Sequence, residues 1–551
     1  MIEPWWKRAT VYQIYPKSFK DTTGNGLGDL QGIIQKLDYL KELGIDMIWL
    51  TPIYASPQND NGYDISNYEE IFSDYGTMAD FEQLLEETHG RGMKLMMDIV
   101  INHTSTAHDW FRQSRSSVDN PYRSYYIWKD TPEDELPNNW QSKFGGSAWA
   151  YDSETKAHYL HLFDVSQADL NWENSVMRAE VYEMMRRWLD KGVDGFRLDV
   201  INLISKNQTF PSDDKGDGRR FYTDGPRIHE YLHEMNQAVF KPYNAITVGE
   251  MSSTNVEDCV QYTHPSSEEL DMVFNFHHLK VDYKDGEKWT NYPFDLVELK
   301  RILSHWQTHM HEGGGWNALF WCNHDQPRVV SRYGDDGEYR DTAAKMLATT
   351  IHLLKGTPYV YQGEEFGMTN PGFTSITQYR DVETKNAYNS LKEKGVSEED
   401  IMAILAQKSR DNARTPMQWN EDANAGFTEG EPWIPMAKNA DSIHAKAALE
   451  KPTSVFYHYQ KLIKLRKTDD LITEGRFHLV DAAHPDVFAY VREHGQRRWL
   501  IVSNFRAKPL TFQTSFTDVD ARIVVSTHED SATAIESIAL RPYESIVYEL
   551  S

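Results

Sequence analysis

Three acidic residues occupy comparable places in this chain. Asp199 follows Arg197 in GVDGFRLDV, Glu250 ends AITVGE, and Asp325 follows His324 in NALFWCNHD. Each stands at the C-terminal end of a run rich in β-branched and aromatic residues. Two carboxyls on one rim can cleave a glycosidic bond. One attacks the anomeric carbon; the other protonates the leaving oxygen and later takes a proton from water. Arg197 precedes Asp199 by two residues, so in a strand both side chains share a face. A guanidinium that close lowers a carboxyl pKa, which suits Asp199 to the nucleophilic part. Glu250 follows Val248 and Gly249 in an apolar run, where desolvation raises a carboxyl pKa and suits a proton donor. A single acid at a strand end more often caps a helix or pairs with a loop. Here Asn102 and His103, Arg197 and Asp199, Glu250, and His324 and Asp325 close four separate runs, and that recurrence points to chemistry.

Such residues meet only if the chain gathers those ends. Eight β-rich runs occur in order: 11–16, 46–52, 94–101, 192–200, 245–250, 272–276, 317–325 and 357–365. Helical patterns lie between most of them. In 30–44, Leu30, Ile33, Ile34, Leu37, Leu40 and Leu43 recur at three- and four-residue spacing, and Gly44 suits a helix end. This alternation predicts an α/β fold, a closed (β/α)8 TIM barrel with its site at the strand C-termini. A doubly wound open sheet competes, but no GxGxxG turn follows the first run. The barrel is expected over 1–103 and 173–475. The stretch 104–172, rich in Trp, Tyr, Pro, Asn and Ser, is too long for a structureless loop and predicts a subdomain inserted after strand 3. A second excursion spans about 369–425. From 476 to 551 short alternating runs such as VFAYVRE, RWLIVSNF, RIVVST and SIVYEL predict a C-terminal antiparallel β-domain, a sandwich.

The bulk properties exclude some functions. The chain has 551 residues and a formal net charge of −26. Nucleic acid and anionic membranes need a basic footprint, so neither is an expected partner. No apolar run is long enough to span a bilayer, and Met1 to Arg8 lacks an apolar leader segment. Cys259 and Cys322 are the two cysteines. They make no disulfide framework, and a cytoplasmic location is expected. Sixteen Trp and thirty Tyr serve either core packing or stacking against sugar rings.

DIVINHTS, GFRLDV, TVGE and NHDQ resemble, in order and spacing, the four sequence blocks of the α-amylase superfamily of glycoside hydrolases. The resemblance implies a barrel with an inserted domain and a C-terminal β-domain. It implies Asp199 as nucleophile, Glu250 as general acid/base, and Asp325 as a third acid that holds sugar hydroxyls. It also implies His103 and His324 as binders of those hydroxyls, and Arg197 as the orienter of the nucleophile. QADLNWEN resembles the fifth block of the exo-acting α-glucosidase branch, with Ala168 where Pro is common. By the same resemblance, Asp64 in GYDISNY and Arg410 in SRDNARTPMQW would clamp the non-reducing end. Asp64 also reads as a turn residue, and Arg414 as structural. No cofactor is implied for catalysis. DTTGNGLGD resembles that branch's loop for a structural Ca2+, with Asp21, Thr23, Asn25, the Leu27 carbonyl and Asp29 as oxygen ligands. It reads equally as a Gly-rich turn with no ion.

A narrower resemblance covers essentially the whole chain. VYQIYPKSFKDTTGNGLGDL, NNWQSKFGGSAW, GDGRRFYTDGPR, FNFHHLKVDYKDGEKW and NALFWCNHDQPR are similar to the phospho-α-(1,1)-glucosidase branch. It implies retaining hydrolysis of α,α-trehalose 6-phosphate, a phosphorylated disaccharide, to glucose and glucose 6-phosphate. An acidic protein that binds a dianion must set local cations against its own field. Lys280, Lys284 and Lys288 recur at four-residue spacing after His277 and His278, and Arg227 is a further candidate. Asp282, Asp285 and Glu287 are interleaved, so a solvated charged loop is the alternative. Oligo-1,6-glucosidases and dextran glucosidases share the catalytic blocks, and Val200 suits both classes. Sugar isomerases of the branch are more distant. Non-catalytic, transporter-associated relatives carry a membrane span and lose the acids, and neither feature fits this chain.

Overall fold

The structure, a computed structural model, describes residues 4–516 and 519–551. Eight strands share one sheet: β1 (Val11–Ile14), β2 (Met47–Leu50), β3 (Lys94–Ile99), β4 (Gly195–Leu198), β5 (Ile246–Glu250), β6 (Met272–Phe274), β7 (Ala318–Leu319) and β8 (Thr357–Tyr361). Their order is β6-β5-β4-β3-β2-β1-β8-β7. The order is sequential and β8 lies beside β1, the circular arrangement of the expected (β/α)8 barrel. The strands are buried along nearly their whole length, as parallel strands covered on both faces must be.

Every predicted run contains a strand, but each strand is shorter than its run. The largest difference is at β7, whose pairing ends at Leu319; the chain reaches His324 and Asp325 without further ladder. The helix expected over 30–44 is two helices, Leu30–Ile34 and Leu37–Leu43. Asp29 caps the first by accepting from Gly32 N. Gly44 ends the second at φ +99°, a left-handed conformation that glycine adopts without a Cβ penalty.

The chain divides into two compact units. One comprises Met1–Ile48, Phe276–Arg380 and Ala387–Ser551; the other comprises Trp49–Asn275 with Asp381–Asn386. In the second unit, His103–Ser105 pairs antiparallel with Gln167–Asp169, joining the two ends of the predicted insertion. Within the insertion, Trp128–Lys129, Trp149–Asp152 and Ala157–Leu160 form a three-stranded antiparallel sheet. Trp140, Trp149, Leu160 and Leu162 pack with Leu203 and Tyr222 into its apolar cluster.

In the first unit the C-terminal residues form the expected antiparallel domain. Arg476–Val480, Val487–His494, Arg497–Asn504, Ser545–Leu550 and Ala521–Ser526 make a five-stranded sheet in that order, and Leu510–Gln513 pairs with Ser537–Leu540. Alternate residues Val487, Ala489, Val491 and Leu500, Val502 meet Phe512, Ile538 and Leu540 in one core, so both sheets bury an apolar face. Cys259 and Cys322 are free, buried thiols. No helix among the described residues is long and apolar enough to cross a membrane.

Candidate active site

In the second unit one guanidinium gathers three carboxyls. Parallel register sets Arg197 of β4 beside Asp98 of β3 and Val248 of β5. Asp199 lies one residue past β4, and Glu250 is the last residue of β5. Arg197 Nη1 donates to Asp98 Oδ1 at 2.9 Å and to Asp199 Oδ1 at 2.6 Å, and Nη2 donates to Glu250 Oε2. The Arg197 side chain is 1% exposed and lies 5.2 Å over the Trp49 ring. Asp98 is held further by Tyr63 Oη at 2.9 Å and Trp49 Nε1 at 3.2 Å.

Three buried acids on one cation cannot all be strongly ionised. Burial is the largest influence on Asp199 and pushes its carboxyl up to about 6, against the opposing pull of Arg197. Asp98 rises to about 6 for the same reason. The lowering expected from Arg197 alone is therefore overturned: spacing in sequence reveals the neighbour but not the depth of burial. A hydrogen bond with Glu250 favours the ionised form of Asp199. Val200, directly after Asp199, adopts φ +38° and ψ +40°. A β-branched residue there carries strain on the order of 1–3 kcal/mol. The turn is sharp, and the Val200 N–H faces Glu250 Oε2 at 3.5 Å.

His103 does not close β3 as expected; it opens the ribbon at the root of the insertion. Its Nε2 lies 3.2 Å from the Tyr63 carbonyl and 3.3 Å from Gln167 Nε2, and Asn102 Nδ2 lies 3.2 Å from its Nδ1. Burial drops its pKa to about 4, so it is a neutral imidazole. Asp169, of the fifth-block motif, pairs with buried Lys206 at 3.0 Å. Asp64 is fully buried and accepts from Asn59 N, Asp60 N and Ser56 Oγ at 2.9–3.1 Å. Its side chain thus ties its own loop, which is the turn reading.

In the first unit the balance of charge is reversed. Asp325 Oδ1 lies 2.7 Å from Arg414 Nη2 and 3.2 Å from Arg410 Nη1. Arg414, expected to be structural, holds the acid more closely than Arg410 and also donates to the His324 carbonyl at 2.7 Å. His324 stacks on Tyr15 with an interplanar angle of 16°, and its Nδ1 lies 2.7 Å from Gln13 Nε2 of β1. Its Nε2 faces Asp325 Oδ2 at 3.3 Å.

The side chains of the resembled calcium loop bond within or beside their own loop. Asp21 accepts from Thr23, Gly24 and Gly26 N–H and from Thr428 Oγ1, which holds its carboxyl below the usual range despite burial. Asp29 accepts from Thr22 N and Gly32 N, and Asn25 Oδ1 from Leu27 N. Asp21, Asp29 and Asn25 therefore turn their oxygens toward N–H groups of their own loop. Among the described residues no group of three or more His, Cys, Asp or Glu side chains is placed to hold a metal.

The basic residues after β6 are partly where the sequence put them. Lys280 and Lys284 are exposed, and Lys284 and Glu287 bond each other's backbone in a tight turn. Lys288 Nζ lies 4.7 Å over the Trp289 ring. Arg227 is a correction: its guanidinium pairs with Glu173 and Glu230 in the second unit, so its charge is committed to protein acids. The residues missed from sequence are Asp98 and Tyr63. Asp98 stands inside the DIVINH block, and only strand register shows that it faces Arg197.

The chain belongs to the α-amylase family: the alpha amylase catalytic domain matches residues 13–475, and the alpha-amylase SusG C-terminal domain matches 487–547. It is a glycoside hydrolase. Within that class it is 60% identical to a trehalose-6-phosphate hydrolase of Bacillus subtilis (strain 168), covering 100% of this chain and 98% of the relative. A crystal structure of Bacillus licheniformis trehalose-6-phosphate hydrolase superposes with a TM-score of 0.96 at 60% identity, covering 100% of both chains. An oligo-1,6-glucosidase of Parageobacillus thermoglucosidasius is 51% identical, covering 100% of both.

Proposed function

We propose that this enzyme hydrolyses α,α-trehalose 6-phosphate with retention, releasing glucose and glucose 6-phosphate. The observation that carries the chemistry is the Arg197 fork, which holds Asp199 and Glu250 together. Both carboxyls are hydrogen-bonded to that one guanidinium, and membership of the α-amylase family supports the retaining route. Asp199 attacks the anomeric carbon while Glu250 protonates the glycosidic oxygen, and glucose 6-phosphate leaves. Glu250, now ionised, takes a proton from water. The oxygen of that water attacks the same carbon, breaks the ester to Asp199 and releases α-glucose. Arg197 keeps Asp199 oriented and partly ionised in spite of its burial. The family resemblance assigns sugar-hydroxyl contacts to His103 in the second unit and, separately, to His324, Asp325 and Arg410 in the first; Asp64 would have to give up its loop donors to take the part implied for it. No step needs a cofactor, and a structural Ca2+ would have to draw Asp21 away from its N–H donors.

The phosphorylated substrate is supported by whole-length identity to trehalose-6-phosphate hydrolases and by the basic loop after β6. Lys280 is the leading phosphate contact, with Lys284 and Lys288 behind it. A phosphorylated sugar is an intracellular metabolite, so a cytoplasmic site of action follows. The working domains are 1–103 with 173–475, 104–172, and 476–551. The second reading, a neutral α-1,6-glucosidase, is favoured by the 51% identity to an oligo-1,6-glucosidase. Parallel assays on trehalose 6-phosphate, trehalose and isomaltose separate the two. The expected result is strong preference for the phosphate; preference for isomaltose would overturn the substrate and leave the mechanism. Lys280→Ala is expected to raise KM for trehalose 6-phosphate far more than for an aryl glucoside.

A further inference from the structure

Arg332, Asp282 and Lys408 form a buried cluster in the first unit, outside the residues assigned above. Arg332 Nε and Nη2 each lie 2.8 Å from the Asp282 carboxylate. Lys408 Nζ lies 2.6 Å from Asp282 Oδ2 and 2.8 Å from the Asp282 carbonyl. The three side chains are 2%, 6% and 3% exposed.

The cluster ties together three segments that the proposed function uses. Asp282 sits in the middle of the basic loop, and Arg332 also donates to the Leu279 carbonyl at its start. Arg332 Nη1 donates at 2.8 Å to Oε1 of Gln326, the residue after Asp325. Lys408 lies two residues before Arg410. Tyr283 packs 5.6 Å from Lys408 Nζ, and Lys288 is close enough to repel it.

Its charge is unbalanced. Two cations share one carboxylate, which leaves a net positive charge buried at the loop that carries Lys280, Lys284 and Lys288. Burying a charge without a full partner is costly, and burial drags Lys408 down to about 8. A balanced ion pair would fix the loop equally well. A doubly negative group docking above the cluster supplies the missing charge.

We propose that Arg332, Asp282 and Lys408 are positioning residues for the substrate's phosphate. They hold the 279–288 loop in register with Asp325 and Arg410 and add a buried positive charge to it. The proposal rests on the phosphorylated-substrate reading.

Lys408→Met tests it, because it removes the surplus charge and leaves the Arg332–Asp282 pair balanced. The expected result is a tenfold or greater rise in KM for trehalose 6-phosphate, kcat within threefold, and less than threefold change in kcat/KM for an aryl α-glucoside. Lys408→Arg should restore most of the KM. Gln326→Leu, which cuts one tie and leaves the Arg332–Asp282 pair in place, is read the same way if Lys408→Met does not fold. Equal losses on both substrates in an enzyme that still prefers the phosphate would reduce the cluster to a structural ion pair and overturn the proposal alone. A wild-type enzyme without preference for trehalose 6-phosphate over trehalose would overturn the substrate reading, and the proposal with it.

Discussion

The two units carry acids in opposite electrostatic settings. In the second unit Asp98, Asp199 and Glu250 share Arg197, and burial pushes Asp98 and Asp199 up to about 6. In the first unit Asp325 faces Arg410, Arg414 and His324. Where acids outnumber cations, protons are held in the site and exchanged near neutral pH. Where basic side chains surround an acid, they hold its oxygens in place. The first setting suits a nucleophile and a proton donor; the second suits a carboxylate that only grips hydroxyls. The same side chain does different work because of what surrounds it.

The largest expected effect comes from breaking the acid-rich side. Asp199→Asn should lower kcat by about 10⁴-fold or more, as loss of a nucleophile does, measured in steady state on trehalose 6-phosphate. Glu250→Gln should cost about 10²–10⁴-fold on the disaccharide. It should cost much less on an aryl glucoside, whose leaving group needs little protonation. An equal loss on both substrates would take the acid role away from Glu250.

A smaller effect is expected on the cation-rich side. Arg414→Gln should lower kcat/KM by roughly ten- to a hundredfold, the order of a lost charge-assisted bond. The pH profile tells the two sides apart. Asp199 must be ionised to attack, so kcat/KM should fall as pH drops through about 6. Because the folded pKa of Asp199 lies above its unfolded value, its contribution to stability is present at low pH and is lost as pH rises through about 6. Arg414→Gln should leave that acid limb in place, whereas Arg197→Gln should move it upward. The smallest effect is expected from chelation: EDTA treatment should leave kcat and the unfolding midpoint unchanged, and a clear fall in Tm would restore the ion to the Asp21 loop.

Much of this was legible in the sequence. Strand–helix alternation gave the barrel, and residue spacing gave the Arg197–Asp199 pair. Three kinds of information were not legible. Register placed Asp98 against Arg197, and no local pattern marks an inter-strand partner. Burial decided the direction of the Asp199 shift, because a sequence shows the neighbour and hides the solvent. Local partners were not legible either: backbone N–H groups bond Asp21 and Asp29, and Glu173 and Glu230 pair with Arg227. The Arg332–Asp282–Lys408 cluster joins residues far apart in the chain, and no motif announces it.

The central claim is that the acid-rich setting, not the cation-rich one, makes the covalent bond. A slow-reacting 2-deoxy-2-fluoroglucosyl substrate tests it directly, by trapping the intermediate and locating the label by peptide mass spectrometry. The label is expected on the peptide bearing Asp199. A label on the peptide bearing Asp325, or full turnover with no trapped ester, would contradict the account.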